Sequence, residues 1–229
     1  MSPVNDFGQS VGDDLGEWAA PPFPEPVSLN GAYVSLEPLL PDHATSLFPV
    51  FSAAPDSLWT YMSIGPFASE GDMGAAFAAL IALPDWTPYA ALIDGKAVGF
   101  LSYLRIDPPG GVIEIGSIVF APDLQRTAAA TEVIYLLLKH AFGLGYRRCE
   151  WKCDDLNATS RRAAERLGFR YEGTFRKATH YKGRNRDTAW YAITDDEWPD
   201  IEKAFEGWLA PENFDHEGRQ RQPLRGFRA

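Results

Sequence analysis

Between residues 112 and 153 the chain reads as strand, long helix, strand, and that unit constrains the fold more than any other feature. Val112 to Phe120 is apolar enough for a buried strand. A Pro122-Asp123 break follows, then a helix from about Gln125 to Phe142, which Gly143 and Gly145 stop before the strand Arg148 to Cys153. Two strands joined by a crossover helix lie parallel, and the crossover is right-handed. The neighbouring segments run the other way. Pro88 to Ile93, Ala97 to Ile106 and Val112 to Phe120 are linked by Asp94-Gly95 and by Pro108 to Gly111, turns that only antiparallel hairpins can use. Tyr171 to Thr179 and Thr188 to Ile193 form a further hairpin, joined by the polar loop Lys182 to Arg186. Tyr33 to Leu36 reads as a first strand, and helices are expected over Asp42 to Ala53, Glu70 to Leu83, Asn157 to Leu167 and Asp195 to Leu209. The expected fold class is therefore α/β (α+β), a mixed, mostly antiparallel sheet flanked by helices, with one parallel pair and an open crevice.

The 229 residues fit one domain with tails. Residues 1–28 are acidic and then Pro-rich, and read as a tail on which Trp18 and Phe23 can dock; 29–209 form the domain; 210–229 read as a second, polar tail. No apolar run reaches the ~20 residues of a membrane span. The start of the chain has no basic residue before Trp18, unlike a secretory signal. Cys149 and Cys153 share a strand face but lie about 13 Å apart at strand spacing, too far to bridge, which points to a reducing, cytoplasmic compartment. Two cysteines without nearby ligands also predict no metal.

The net charge of −10 disfavours nucleic acid as a partner. It is unevenly spread: residues 144–186 hold 12 Lys and Arg against 5 Asp and Glu. Such a zone suits a small polyanion, or is a solvated basic face.

Two segments carry the chemistry. At Val119-Phe120-Ala121-Pro122-Asp123-Leu124-Gln125-Arg126-Thr127-Ala128-Ala129-Ala130 a strand runs into a helix whose first-turn amides lack intrahelical acceptors. With a partial positive charge there and only small side chains, a pyrophosphate can approach closely; a plain Ala-rich helix start is the alternative. Neither the P-loop nor the Rossmann glycine pattern is present. The second segment is Asn157-Ala158-Thr159-Ser160-Arg161-Arg162, followed by Leu167-Gly168-Phe169. It starts a helix beside the crevice, with Asn157 placed as an N-cap and the arginines either ligand-facing or solvated.

Together these segments resemble the GNAT acetyltransferase superfamily from about Leu29 to Glu197. Gln125-Arg126-Thr127-Ala128-Ala129-Ala130 is similar to its acyl-CoA loop, with Ala128 in place of a glycine. Asn157, Ser160, Gly168 and Phe169 match its second motif. The opening Leu29-Asn30-Gly31, the Glu114-Ile115-Gly116 strand and the Lys182-Gly183-Arg184-Asn185-Arg186-Asp187 hairpin resemble the subgroup that acetylates the N-termini of ribosomal proteins.

That resemblance implies acetyl-CoA as cosubstrate and no metal. It implies a primary amine as acceptor, either a protein N-terminus or a small molecule, and an assembly that is often a homodimer. Ile118, Val119 and Phe120 would supply backbone amides near the thioester; Gln125, Arg126, Thr127, Ala128, Ala129, Ala130, Asn157 and Arg162 would hold the cofactor. Many relatives carry a Tyr seven residues after the Asn as general acid; here Ala164 stands there, so Ser160 becomes the candidate. Glu114 is the first candidate base, ahead of His180, with a solvent-facing strand carboxylate as the bland alternative. The absent Tyr also leaves open a non-catalytic acyl-CoA-binding or sensing module, and the basic zone a ribosome-associated interaction protein. Glu132 and Glu150 read as ordinary helix and strand charges.

Overall fold

The computed structural model describes residues 2–228. Eight strands form one sheet: β1 (Leu29–Asn30), β2 (Ser35–Pro38), β3 (Thr87–Ile93), β4 (Lys96–Asp107), β5 (Val112–Phe120), β6 (Arg148–Asp154), β7 (Arg170–Tyr181) and β8 (Arg184–Thr194), in the order β1-β2-β3-β4-β5-β6-β8-β7. Five helices accompany them: α1 (Ala44–Ala53), α2 (Glu70–Ile81), α3 (Ala128–Gly143), α4 (Ala158–Leu167) and α5 (Trp198–Leu209). The one parallel pair is β5 with β6, as the crossover required. All other neighbours are antiparallel.

Alternation along the strands sends side chains to two cores. Leu101, Tyr103, Ile113, Ile115, Cys149, Trp151, Tyr191 and Ile193 meet α3 and α5 on one face. On the other face Ala90, Leu92, Phe100 and Val119 meet Leu47, Phe51, Met73 and Phe77 of α1 and α2. These two helices lie against the β3–β4 half of the sheet. On the same face, β5, β6 and β8 carry Glu114, Glu150, Lys152 and Trp190 instead of core residues.

Several boundaries differ from the sequence reading. The crossover helix starts at Ala128, because Thr127 caps it: Thr127 Oγ1 accepts from the Ala130 N–H at 3.1 Å. α1 starts at Ala44, two residues after the expected Asp42, because a 3₁₀ turn, Pro41–His43, precedes it; there His43 Nδ1 accepts from the Leu40 N–H at 3.0 Å. The late hairpin pairs as far as Tyr181 and Arg184, leaving only Lys182-Gly183 as its turn. Residues 210–229 were expected as a polar tail, yet Leu224 is 1% exposed and Arg221 N–H bonds back to Asn213 O. Trp208 Nε1 donates to Gln220 Oε1 at 2.8 Å, and the Arg228 guanidinium donates to the carbonyls of Glu165 and Arg166 at the end of α4. This polar segment packs because Leu224 is buried and several of its backbone and side-chain groups hydrogen-bond to the domain and to one another. At the other end, the carbonyls of Pro22 and Pro24 accept from Tyr146 and Thr87, and Trp18 stacks on Arg147. Phe23 stays 39% exposed.

Glu132 is not an ordinary helix charge. It is 4% exposed, and its carboxylate accepts from the backbone N–H groups of Ala32 (2.8 Å), Tyr33 (2.6 Å) and Val34 (3.0 Å). It thereby ties the β1–β2 turn to α3. Gly31 permits this, since a Cβ there would lie 2.3 Å from the carboxyl carbon. Glu132→Ala leaves three amides unpaired and should cost about 3–5 kcal/mol, the range for a broken buried charged network. At ~2–4 °C per kcal/mol for a chain of this size, calorimetry should show Tm falling by about 6–20 °C.

Candidate active site

The site is a fork in the sheet. β5 and β6 pair only through Val112–Arg148, Ile113–Cys149 and Glu114–Glu150. Beyond that point β6 remains bound to β8 and β5 remains bound to β4, and they part company. A bulge drives the separation: between the pairs Phe100–Val119 and Ser102–Gly116, β5 carries two residues, Ser117 and Ile118, against one on β4. Ser117 adopts a left-handed conformation (φ 52°), which turns the strand. Backbone groups of β5 that would have faced β6 are left without a strand partner, so an extended polar chain can take the place of the missing strand.

The two jaws end in helix N-termini. On the β5 side, the Gln125 side-chain amide donates to Phe120 O at 3.0 Å, and Arg126 turns the chain with φ 65° into the Thr127 cap. Ala128 has ordinary helical geometry, so the alanine in place of a glycine is unstrained. Ala129 is buried, and Ala128 and Ala130 are half-buried. Arg126 is exposed. On the β6 side, Asn157 caps α4, its Oδ1 accepting from Ser160 N–H at 3.1 Å. Ser160 Oγ accepts from Trp151 Nε1 at 3.0 Å, which leaves the hydroxyl proton free to donate elsewhere. Burial raises the Cys153 thiol pKa, and the adjacent Ser160 hydroxyl lowers it. Arg161 is spent on Asp155 (2.8 Å) and Tyr191 (3.1 Å), whereas Arg162 is exposed. Ala164 is fully buried, which leaves no room for a Tyr at that position. Ile118 and Phe120 are half-buried at the rim, and Val119 points into the α1–α2 core, leaving only its backbone for the crevice.

Glu114 stands at the point where the fork opens. It is 5% exposed, so the solvent-facing alternative does not hold. Its side chain lies over Gly116: a Cβ there would be 3.2 Å from Glu114 Oε1 and 2.8 Å from Leu104 Cδ2. The glycine thus leaves space for the carboxylate to lean along β5 toward the fork. Lys152 Nζ lies 2.9 Å from Glu114 Oε2 and 2.6 Å from Glu150 Oε2, with Arg105 3.5 Å from Glu114 and Arg148 3.0 Å from Glu150. The Lys152 ammonium also sits 3.7 Å from the Trp190 ring centroid. Burial pushes the Glu114 carboxyl up; Lys152 pulls it back. On the same face Ser102 Oγ and Trp190 Nε1 are buried without hydrogen-bond partners.

The loop between α1 and α2 roofs this face. Lys182 Nζ donates to Trp59 O at 2.7 Å, Tyr61 Oη to Leu156 O at 3.1 Å, and Tyr181 Oη to Asp154 Oδ2 at 2.8 Å. Trp59 and Phe67 pack edge to face within the core beneath. The fork therefore opens between two strands that each run into a helix start, with a polar, partly roofed face beside it. Glu150, Lys152 and Trp190 went unrecognised in the sequence. Their signal was the alternation in β6 of two charged residues with Cys149, Trp151 and Cys153. Among the described residues no group of three or more His, Cys, Asp or Glu could hold a metal, and no helix is long and apolar enough to cross a membrane.

The Acetyltransferase (GNAT) family description matches residues 56–169. A GCN5-related N-acetyltransferase from Brucella melitensis is 43% identical, with TM-score 0.90 over 93% of this chain and 99% of that one. The chain belongs to the GNAT acetyltransferase family. A probable GNAT acetyltransferase from Chromobacterium violaceum is 40% identical, with TM-score 0.80 over 87% of this chain and 100% of that one. Mycobacterium smegmatis RimJ, solved with CoA-disulfide, shares the fold at 22% identity and TM-score 0.67, over 76% of this chain and 90% of that one. No curated protein matches. In this GNAT protein the segment from Gln125 to Ala130 leads into α3 and Asn157 caps α4, each helix following one of the two strands that part at the fork.

Removing Lys152 tests the charge cluster. Lys152→Met leaves two buried carboxylates without their shared ammonium, which should cost about 3–5 kcal/mol at pH 7. The Glu114 carboxyl is raised in the folded protein, so its contribution is present below the unfolded pKa and lost as pH rises through the folded value. Without Lys152 that rise is larger. Tm measured at pH 5 and pH 7 should therefore recover more on acidification in Lys152→Met than in the wild type.

Proposed function

We infer that the protein is an acetyl-CoA-dependent N-acetyltransferase acting on a primary amine, in a ternary complex and in the cytoplasm. The observation that carries this reading is the placement of Glu114, a buried carboxylate leaning over Gly116 to the mouth of the fork. The residues fit acetyl-CoA. The first turn of α3, beside the small side chains of Ala128, Ala129 and Ala130, suits a pyrophosphate, and Arg126 before it and Arg162 on α4 are exposed. The unpaired edge of β5 near Ile118 to Phe120 suits an extended amide-bearing arm. Acetyl-CoA supplies the activated acetyl group. The chain's own groups then do four things. Gln125, Thr127 and Asn157 shape the two helix starts that hold the cofactor. Glu114, directly or through a water, takes the proton that the amine nitrogen sheds as its bond to the acetyl carbon forms. Backbone N–H groups of β5 stabilise the oxyanion. Ser160 donates its proton to the sulfur as the carbon–sulfur bond breaks, and recovers one from solvent. The indole N–H on Ser160 Oγ favours this direction of donation, because it occupies an acceptor site and orients the hydroxyl.

Glu114 is a better base than His180. His180 lies exposed on β7, whereas Glu114 is buried at the fork, where burial raises its carboxyl pKa. A non-catalytic sensing module has no use for a buried carboxylate at the fork, so the enzyme reading is preferred.

Three variants test it by steady-state kinetics with thiol detection. Glu114→Gln should lower kcat/KM at least tenfold at pH 7 and be partly rescued at high pH, where free amine is plentiful. A raised amine KM with unchanged kcat would mean that Glu114 only attracts the cation. Ser160→Ala should lower kcat by about 10²-fold, near the low end for a general acid, since a thiol leaves readily. Arg126→Ala should raise the KM for acetyl-CoA and leave kcat within a few-fold.

A further inference from the structure

The bare face that carries Glu114 continues outward onto β7, where its character changes. The Lys152 ammonium lies against the Trp190 ring, and the Phe175 ring packs on Trp190 with centroids 4.7 Å apart. Phe175 is 57% exposed. Next to it the β7–β8 register slips between the pairs Phe175–Thr188 and Thr179–Arg186, so that Arg176, Lys177 and Ala178 stand opposite the single residue Asp187. Lys177 has φ 52°. Asp187 holds this bulge in shape: its Oδ1 accepts from the Lys177 N–H at 2.7 Å and from Asn185 Nδ2 at 2.9 Å. Phe175, Arg176, Lys177 and Ala178 line an open cleft of about 700 Å³.

The bulge and hairpin are strongly basic in an acidic protein. From Gly173 to Arg186 there are five Lys and Arg and no Asp or Glu, in a chain of net charge −10. Lys182 is spent on the Trp59 carbonyl. Among the described residues, no carboxylate lies within ion-pair distance of Arg176, Lys177, Arg184 or Arg186, and Arg186 Nε is buried without a hydrogen-bond partner. Some cations on the neighbouring strands and α4 are paired: Arg148 has Glu150 and Glu172, Arg161 has Asp155, and Arg170 has Glu197. Others outside the hairpin, such as Arg126 and Arg162, have no such partner among the described residues, so the bulge stands out by its density of like charge rather than by unpaired cations alone. Unspent cations on a pinned bulge, joined by aromatic rings to the reacting carboxylate, form a surface complementary to an anion that extends from the site.

The spacing sets the length of that anion. Lys152 pairs with Trp190, and Trp190 is three residues from Asp187, the residue opposite the bulge. Three strand residues span roughly 10 Å (about 3.3 Å each). Glu114 lies two strands from β8, a further ~10 Å across the sheet at about 4.8 Å per strand, so a ligand whose amine meets Glu114 reaches Arg176 and Lys177 only if it is extended over about four or more residues' length.

We propose that the acceptor is the N-terminus of an acidic peptide or protein segment, with its Asp or Glu side chains at about the third to fifth residues docked on the Arg176–Lys177 bulge and its intervening residues lying over Trp190 and Phe175. This rests on the acetyltransferase reading for the reaction, and on the charge and geometry of the bulge for the choice of acceptor.

The experiment reads binding separately from turnover. Three pentapeptides with a free N-terminal Ser-Ala are compared, followed by three Glu, three Gln or three Lys, each with a C-terminal fluorophore. Anisotropy with the full chain should show the Glu peptide binding at least tenfold more tightly than the Gln peptide at low ionic strength, with the Lys peptide weakest. The ratio should shrink at high salt. In Arg176→Gln/Lys177→Gln, which keeps the backbone bulge, the Glu preference should fall to within about twofold, while acetyl-CoA binding by calorimetry stays unchanged. Equal binding of the three peptides, or a preference that survives the double substitution, would overturn the proposal. So would displacement of the Glu peptide by saturating CoA, which would give the bulge to the cofactor's phosphates, or tighter capture of a short single-stranded RNA. Preferential binding with no thiol release from any peptide would sink the acetyltransferase reading and leave the recognition surface supported.

Discussion

Everything functional in this protein depends on a sheet that stops being continuous. Three residue pairs join β5 to β6, and then the bulge at Ser117 and Ile118 turns β5 away while β8 keeps β6 straight. Unpaired strand edges inside a protein are unfavourable, since each amide and carbonyl left dry costs about as much as a lost hydrogen bond. The fork is tolerable because the edges border an open slot that water or an extended ligand can fill. Both helix starts that follow the forked strands open onto this slot, so their partial positive charges converge on whatever enters it.

The second constraint is electrostatic. In the parallel register Glu114 faces Glu150, a like-charge pair that would weaken the sheet by itself. Lys152 resolves it by placing one ammonium against both carboxylates, while Arg105 and Arg148 take the outer sides. A hydrophobic pair would serve stability as well or better, because buried ion pairs recover little beyond their desolvation cost. Burial pushes the Glu114 carboxyl up and Lys152 pulls it back. The proposed exchange of a proton with an amine uses those opposing pulls.

The two faces of the sheet divide the labour. Toward α3 and α5 the packing is apolar and continuous, and Glu132 clamps the β1–β2 turn onto α3 through three backbone amides. Toward α1 and α2 the core covers only half the sheet, and the remainder carries the ion cluster, then Trp190 and Phe175, then the basic bulge. The terminal segments work only on the structural side. Tyr146 and Thr87 hold Pro22 and Pro24, and Arg228 ends on α4 carbonyls.

The sequence by itself determined the parallel pair, the hairpins around it and the capping of α4 by Asn157. These follow from period, turn chemistry and spacing, which are local properties of the chain. It did not show that Glu132 would be buried under three amides, because its partners lie about a hundred residues away. Nor did it show that residues 210–229 pack, since Leu224 and Asn213 are buried only by elements that the tertiary fold brings to them. Whether Glu114 faced solvent or the fork was a question of pleat phase, and one residue of register decides it. Only the assembled sheet fixed that phase, set Lys152 beside Glu114 across two strands distant in the chain, and left the cations of the β7 bulge without partners.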